Sequence, residues 1–296
     1  MANEFRTALI LNSLSKKAKQ IRVEAQANGV MLLETAYSKH AIELAAQALE
    51  SGVDLLVAAG GDGTVNELSQ AIGRRLDEGA SLPYFGIVPA GSANDFVHNF
   101  KRLPDLAEMI SNARNGKFRR TDIGRLHTEE RTSYFMNICD YGIGAEVVSR
   151  MTQQRFKNLS SDLSYLDAVT RAFIHAQKHH MHMKIDGQHW EGNCLAVVVA
   201  NGRAFGSGLV ISPYASVSSG YLNIVIIGEV SLMDYARNIP RVKSGKVIHH
   251  PGVHYFKCRE LEVLNTVLPK LEADGELIFG DVRKIDVLAG QIRMAM

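Results

Sequence analysis

Apolar and polar positions along the first 120 residues alternate between two periods. Short continuous apolar runs, Thr7 to Leu11, Met31 to Thr35, Val53 to Ala59 and Tyr84 to Val88, have the length and bounding polar residues of buried strands. Between them the apolar positions recur at helical spacing. One helix is expected through about Asn28, following the polar stretch Asn12 to Lys17. A second carries Ala41, Ile42, Leu44, Ala45, Ala48 and Leu49, with Ser38 as its N-cap and Gly52 as its stop. A third carries Val65, Leu68, Ile72 and Leu76, and a fourth runs from Pro104 to near Gly116. Strand and helix in strict alternation predict right-handed crossovers and a mostly parallel sheet.

Beyond about Asp122 the pattern becomes strand-rich. Strands are expected over Ser133–Ile138, His182–Ile185, Leu195–Ala200, Tyr221–Ile227, His254–Lys257, Glu260–Leu264, Glu276–Phe279 and Lys284–Val287, with one helix over Ser161–Lys178. This predicts a second domain, a sandwich or barrel. The expected organisation is an α/β nucleotide-binding domain over 1–122, a β-rich domain over 123–285, and a terminal strand over 286–296 returning to the first domain. No repeat, low-complexity tract or flexible linker interrupts it.

Composition narrows the class. The chain has 296 residues, 46% apolar and 22% charged, and a formal net charge of +2. That charge is too small to argue for nucleic acid. No run approaches the roughly 18 apolar residues of a membrane span. The short run Ala8 to Leu11 is too little for a signal peptide, so any membrane contact is expected to be peripheral. Cys139, Cys194 and Cys258 lack metal-ligand spacing and, being odd in number, argue against a disulfide framework and for a reducing cytosol. The histidines near 175–182 and 249–254 carry no zinc pattern. Those at 179–180 are expected beside a helix C-terminus.

The chemistry concentrates after two strands. Val57-Ala58-Ala59-Gly60-Gly61-Asp62-Gly63-Thr64-Val65-Asn66-Glu67 runs strand, glycine turn, helix N-terminus, the arrangement that binds phosphate. Asp62 would repel phosphate unless a divalent cation sits between them. The plain alternative is a strand-to-helix turn with an Asp cap. Gly91-Ser92-Ala93-Asn94-Asp95 follows the next strand, so both loops can face one cleft at the carboxyl edge of the sheet. Asn94-Asp95 repeats the amide-carboxylate pairing of Asn66-Glu67. Asp274-Gly275-Glu276 reads either as an ordinary hairpin turn or as a tight turn presenting a general base.

Set side by side, these segments resemble the diacylglycerol kinase catalytic family in its soluble bacterial, YegS-type form. Gly60 to Glu67 matches GGDGTxNE, Gly91 to Phe96 matches GTxNDFA, and Asp274-Gly275-Glu276 matches the late DGE. Asp122-Ile123-Gly124, Gly142-Ile143-Gly144-Ala145 and Asn201-Gly202-Arg203 recur in order, so the match covers nearly the whole chain. GGDGT alone is shared with NAD kinases and phosphofructokinases. The resemblance implies an NAD-kinase/phosphofructokinase-like α/β domain plus a C-terminal β-sandwich, ATP and Mg²⁺ in the cleft, and γ-phosphoryl transfer to a lipid hydroxyl. By the same resemblance Gly60, Gly61, Gly63, Thr64, Asn66 and Glu67 lie in the ATP site, where Asn12, Thr35 and Ser92 help to place the nucleotide. Asp62, Asp95 and Asp122 organise the catalytic Mg²⁺ and its waters. Glu276 is the implied base, with Asp274 the second candidate; the residues themselves do not decide.

Three positions depart from the family pattern. Asn12-Ser13 replaces Asn-Pro, and Ser92 replaces Thr while keeping the hydroxyl. Ser219 stands where a carboxylate would ligate a structural Mg²⁺ in the second domain. The expected protein is therefore a cytoplasmic lipid kinase, peripheral to the inner face of the membrane. Its acceptor stays open among diacylglycerol, phosphatidylglycerol, sphingoid lipids and other lipid alcohols, and a homodimer stays open too. Basic residues Arg150, Arg155, Lys157, Arg171, Lys178 and Lys184 amid apolar ones suggest an amphipathic face for anionic lipid. The rivals are an NAD kinase-like enzyme with a soluble substrate and a non-catalytic nucleotide or lipid sensor.

Overall fold

The computed structural model describes residues 4–154, 172, 177–206, 208–265 and 270–296. The first part of the chain runs β1 (Thr7–Leu11), α1 (Ala18–Ala27), β2 (Met31–Glu34), α2 (His40–Glu50), β3 (Leu55–Gly60), α3 (Asp62–Asp77), β4 (Tyr84–Pro89) and α4 (Leu106–Arg114), with a 3-10 turn over Asp95–Asn99. It continues through β5 (Phe118–His127), β6 (Thr132–Phe135), β7 (Ile138–Gly142), α5 (Ile143–Gln154), β8 (His179–Ile185), β9 (Gln188–Cys194) and β10 (Ala196–Ala200). Then come β11 (Ala204–Phe205), β12 (Leu209–Val210), β13 (Leu222–Ile227), α6 (Leu232–Lys243), β14 (Val253–Cys258), β15 (Glu260–Val263), β16 (Leu271–Ala273), β17 (Glu276–Ile278) and β18 (Lys284–Ala295). Of the helix expected over 161–178, all but residues 172, 177 and 178 lies outside the described residues, as do the basic residues Arg155, Lys157 and Arg171.

Strands β2, β1, β3 and β4 are parallel neighbours in that order. Their apolar runs are unbroken because both faces are covered. Ala8, Ile10, Leu56 and Ala58 face α2 and α3, whereas Leu9, Leu11, Leu55, Val57 and Ala59 face α1 and α4. The sheet does not end at β4. The long last strand β18 pairs parallel with β4 through Arg293 and Met294, and antiparallel with β5 and β15. One ten-stranded mixed sheet thus runs from β2 to β9. Its far half packs on a six-stranded antiparallel sheet, β14-β13-β10-β7-β16-β17, through Met181, Met183, Leu261 and Ile285 against Tyr141, Val197, Ile224 and Leu271. The second part of the chain is that β-sandwich.

Several local expectations differ from the structure for physical reasons. The change of character placed at Asp122 falls inside β5, a strand that the polar run Arg119-Arg120-Thr121-Asp122 concealed. The single strand expected over Ser133–Ile138 is two, because the chain breaks at Met136 and Asn137, whose N–H groups turn to the Asp274 carboxylate. Ser38 does not cap α2: the N-cap is Lys39, in the left-handed region at φ 67, with no side-chain cap of its own. His179 and His180 open strand β8 rather than ending a helix, and His180 Nε2 pairs with Glu191 at 2.8 Å. Cys139, Cys194 and Cys258 are all free and buried.

Helix α3 is clamped to the second part of the chain along its C-terminal half. Gln70 exchanges hydrogen bonds with the Tyr134 backbone at 2.6 and 3.1 Å, and Tyr134 Oη donates to Asp77 at 2.6 Å. Gly73 makes room for the Tyr134 ring, which would lie 2.2 Å from a Cβ there. Arg125 bridges Asp77 and Asp286 at 2.7 and 2.8 Å. The N-terminal end of α3 is consequently held at a fixed place relative to the sandwich.

Candidate active site

The carboxyl ends of β1 to β4 converge on one edge. Helix α3 begins immediately after β3, and its N-cap Gly61 is extended and supplies no side-chain cap. The first helical bond of this turn runs from Val65 N to Gly61 O. The N–H groups of Asp62, Gly63 and Thr64 therefore belong to the set that a helix N-terminus leaves for an anion. A Cβ at Gly60 would lie 2.1 Å from Thr64 Oγ1, so only glycine lets the helix start this close to the strand.

The second loop lies directly against the first. A Cβ at Gly91 would sit 2.4 Å from Gly61 Cα, so two glycine backbones touch where side chains could not fit. Asn94, left-handed at φ 53, staples its loop through Oδ1 to the Gly91 N–H and Nδ2 to the Gly91 carbonyl. Asp62 Oδ1 accepts the Phe96 N–H at 3.1 Å, tying the helix start to the 3-10 turn. Among the described residues its Oδ2 takes no hydrogen bond. Ser92 is exposed on the same loop.

Asn12 and Thr35 end the two neighbouring strands. Asn12 Oδ1 accepts the Leu14 N–H, an Asx turn that replaces the expected proline, and Ser13 reaches the Thr35 carbonyl at 2.6 Å. Ser15 donates to the Ala90 carbonyl at 2.8 Å and Lys17 Nζ to the Pro89 carbonyl at 3.1 Å. These bonds bring an exposed ammonium to the rim of the loop that carries Gly91.

Across the cleft stands the β16–β17 hairpin. Asp274 and Gly275 both have positive φ, 49 and 85, as a two-residue type I′ turn requires. Asp274 Oδ1 accepts the N–H groups of Asn137 and Ile138 at 3.0 Å each, and Oδ2 accepts Met136 at 2.7 Å and Asn66 Nδ2 at 3.4 Å. Burial pushes this carboxyl up to about 6 against the pull of those N–H donors. With both oxygens engaged, Asp274 shapes the turn. Glu276 is exposed at the start of β17, near enough to Glu67 that its charge adds to burial in raising the Glu67 carboxyl.

Three of the expected site carboxylates point to backbone. Glu67 accepts from Lys39 N at 3.2 Å and Ala41 N at 3.0 Å, supplying from α3 the cap that α2 lacks. Asp95 is buried and accepts the Gly208 N–H at 2.7 Å. Asp122 is buried with Oδ2 on Gly220 N and Oδ1 on Gly290 N, both at 2.7 Å. The second bond holds the irregularity in the β5–β18 ladder between Leu288 and Ile292. Asp122 thus pins two backbone turns through both of its oxygens. Ser219 Oγ closes its own turn, donating to Tyr221 O at 3.0 Å.

Sequence reasoning passed over Lys17, whose signal was a cation just after the first strand. It also passed over Glu272, which accepts the Gly275 N–H at 2.8 Å from within the DGE hairpin, and its partner Asp140.

Residues 7–126 match the diacylglycerol kinase catalytic domain, and residues 138–295 match the YegS C-terminal NAD kinase beta sandwich-like domain. The chain is 27% identical over 232 residues to a diacylglycerol kinase of Staphylococcus saprophyticus, covering 78% of this chain and 73% of that protein. It is 29% identical over 241 residues to a YegS-like "probable lipid kinase" of Enterobacter sp. strain 638, covering 79% and 78%. The fold is similar to that of a diacylglycerol kinase from Bacillus anthracis, with TM-score 0.70 and 18% identity over 98% of this chain and 96% of that one. It is more distantly similar to an NAD kinase from Archaeoglobus fulgidus in complex with ATP, with TM-score 0.52 and 14% identity over 97% and 92%. The chain belongs to the diacylglycerol kinase family of lipid kinases, in the form that carries the YegS-type C-terminal domain.

Proposed function

We propose that this kinase transfers the γ-phosphoryl group of ATP to the hydroxyl of a membrane lipid, with Glu276 as general base. The observation that carries the proposal is the opposition of the uncapped α3 N-terminus to the exposed Glu276 carboxylate across a cleft fixed by the Asn66–Asp274 contact. The α3 N–H groups and the touching Gly61 and Gly91 backbones receive the phosphates, and Lys17 meets their charge from the rim. Asn12, Thr35 and Ser92 line the nucleotide side. A hydrated Mg²⁺ needs only one or two carboxylates besides water and phosphate oxygens. Asp62, with Oδ2 available beside the phosphate donors, fits that requirement; the ion would neutralise charge on the transferring phosphate. Glu276 takes the proton of the lipid hydroxyl as its oxygen bonds to the γ-phosphorus and the bond to the β-phosphate oxygen breaks, leaving ADP. Positioning and charge neutralisation are what such a transfer asks of a protein.

No helix among the described residues is long and apolar enough to cross a membrane, which supports peripheral contact with the lipid. The test is incubation with labelled ATP and Mg²⁺, supplied with a total bacterial lipid extract or with NAD. Label in an extractable lipid supports the proposal; label in the dinucleotide alone overturns it.

A further inference from the structure

Strand β18 runs parallel beside β4, with Arg293 opposite Tyr84 and Met294 opposite Phe85. Its carboxyl end therefore points to the same edge of the sheet as the ends of β3 and β4, the edge where open α/β sheets take their ligands. A groove of about 1270 Å³, counting its wide mouth, lies there against Phe100, Val217 and Met296. Its lining carries Lys101, Arg102, Arg119 and Arg203 and, among the described residues, no acidic side chain. The whole chain is nearly balanced, with 33 lysines and arginines against 31 acidic residues. Four such cations on one groove without a carboxylate are therefore a local segregation of charge.

Arg102 is neutralised, held by both carboxylate oxygens of Glu108. Lys101, Arg119 and Arg203 form no ion pair among the described residues. Asp122 feels the Arg119 charge, but both of its oxygens are taken by backbone N–H groups. The Arg119 side chain is fixed all the same: its Nε donates to Ser218 Oγ at 2.9 Å, and its guanidinium lies 5.5 Å from the centre of the Phe100 ring. Its two terminal nitrogens are left for a ligand. The Arg203 N–H donates to Asn99 Oδ1 at 2.9 Å, which ties the loop after β10 to the 3-10 turn. Like charges held on one concave surface repel, and an anion with several acceptor oxygens relieves that repulsion. Phosphate suits the set, because a guanidinium fork takes two of its oxygens at once and an ammonium can take a third.

We infer that this groove binds a phosphate group, whose oxygens accept from Lys101 Nζ and from the guanidinium nitrogens of Arg119 and Arg203. The site is separate from the cleft at the α3 N-terminus. Asp62 holds the 3-10 turn at the Phe96 N–H. Phe100, which lines the groove, comes four residues later, about 8 Å farther on at the 3-10 rise of about 2 Å per residue. A bound phosphate would tie together three segments distant in sequence: the one following the 3-10 turn, the start of β5 and the loop after β10. The inference goes beyond the kinase reading and does not depend on it.

Thermal unfolding of the full chain, without nucleotide or Mg²⁺, tests the site with inorganic phosphate against sodium chloride of equal ionic strength, which controls for screening. Binding to the folded state raises the midpoint with phosphate concentration, and that dependence gives the affinity. The double variant Lys101→Gln, Arg203→Gln is expected to bind at least about ten-fold more weakly, since two charge-assisted contacts are lost. Both residues are exposed, and a cooperative transition in chloride confirms that the variant is folded. Lys117→Gln removes an exposed cation outside the groove and should bind phosphate as the wild type does. Phosphate at the α3 N-terminus, or its general salting effect, is untouched by either change, so the difference between the proteins reports the groove. Equal phosphate dependence in wild type and double variant, or an equal loss in Lys117→Gln, overturns the inference. Because no turnover is read, failure of the kinase reading would leave these results standing. Vesicles of phosphatidylcholine containing phosphatidylglycerol then separate two sources of the phosphate. Co-sedimentation of the wild type but not the double variant assigns the groove to a lipid headgroup, and equal sedimentation of the two proteins assigns it to a free phosphate.

Discussion

Asn66 and Asp274 meet across the cleft, Nδ2 to Oδ2 at 3.4 Å, joining helix α3 to the hairpin that carries Glu276. Asp274 contributes by position: three backbone N–H groups fix it, whereas Glu276, two residues on, is exposed and is the base in the proposed reaction.

Substitution separates the two carboxylates. Glu276→Gln is expected to lower turnover by about 10²–10⁴, the usual contribution of a general base, while ATP affinity changes little. Asp274→Asn places an amide N–H against the Met136 N–H and should destabilise the fold by about 2–4 kcal/mol. Single-turnover lipid phosphorylation and urea unfolding of both variants check this. A stable but inactive Asp274→Asn beside an active Glu276→Gln would reverse the assignment.

Gly91→Ala tests whether the two loops act as one surface. The added Cβ, 2.4 Å from Gly61 Cα, must push the loops apart at a cost of about 1–3 kcal/mol. That strain should appear chiefly as weaker ATP binding, by about ten-fold or more, measured by nucleotide titration. Gly63→Ala meets nothing within 4 Å and serves as the control for a neighbouring glycine with open space.

The first half of the fold was legible because its signals are local. Buried parallel strands are continuous apolar runs, and α3 carries its face at Val65, Leu68 and Ile72. The two glycine loops at the strand ends were legible for the same reason, each lying within about ten residues. What stayed hidden depends on contacts distant in sequence. Strand β5 carries the polar run Arg119-Arg120-Thr121-Asp122 in place of a strand pattern, and only its pairing with β18 makes it a strand. Helix α6 has the amphipathic pattern and a Ser231–Asp234 capping box, yet Pro240 lies inside it and reads as a breaker. Glu67 and Asp122 were placed in the site by their position in motifs. Their partners, Ala41 and Gly290, lie 26 and 168 residues away, which no local pattern announces.

Those two carboxylates should behave as stability residues. Glu67→Ala removes the cap of α2 and is expected to cost about 1–2 kcal/mol. Asp122→Ala leaves two backbone N–H groups unpaired in a buried place and should cost about 2–4 kcal/mol. Urea denaturation provides both numbers. An Asp122→Ala protein of unchanged stability that has lost its Mg²⁺ dependence would restore the metal role instead.

The buried pair of Asp140 and Glu272 makes stability depend on pH. Burial pushes the Asp140 carboxyl up to about 6 and the Glu272 carboxyl well above its ordinary value, with repulsion from Asp140 adding to the latter. Both folded values exceed the unfolded ones, so the folded state retains protons that the unfolded chain releases. Stability is therefore complete below about pH 4 for this pair, falls above it while both groups keep their protons in the folded chain, and falls less steeply beyond about pH 6, where Asp140 ionises and Glu272 alone stays protonated. The limit is about 1.4 kcal/mol per pH unit for each retained proton. Glu272→Gln keeps a donor for Asp140 and an acceptor for the Gly275 N–H, but it has no proton to lose. Its urea midpoint should fall about half as steeply as the wild type's up to about pH 6 and then level off where the wild type keeps falling. Because Glu272 also anchors the hairpin before Glu276, wild-type turnover should decline as Glu272 loses its proton while the variant's declines less. Parallel midpoint curves for the two proteins would remove the proton from Glu272.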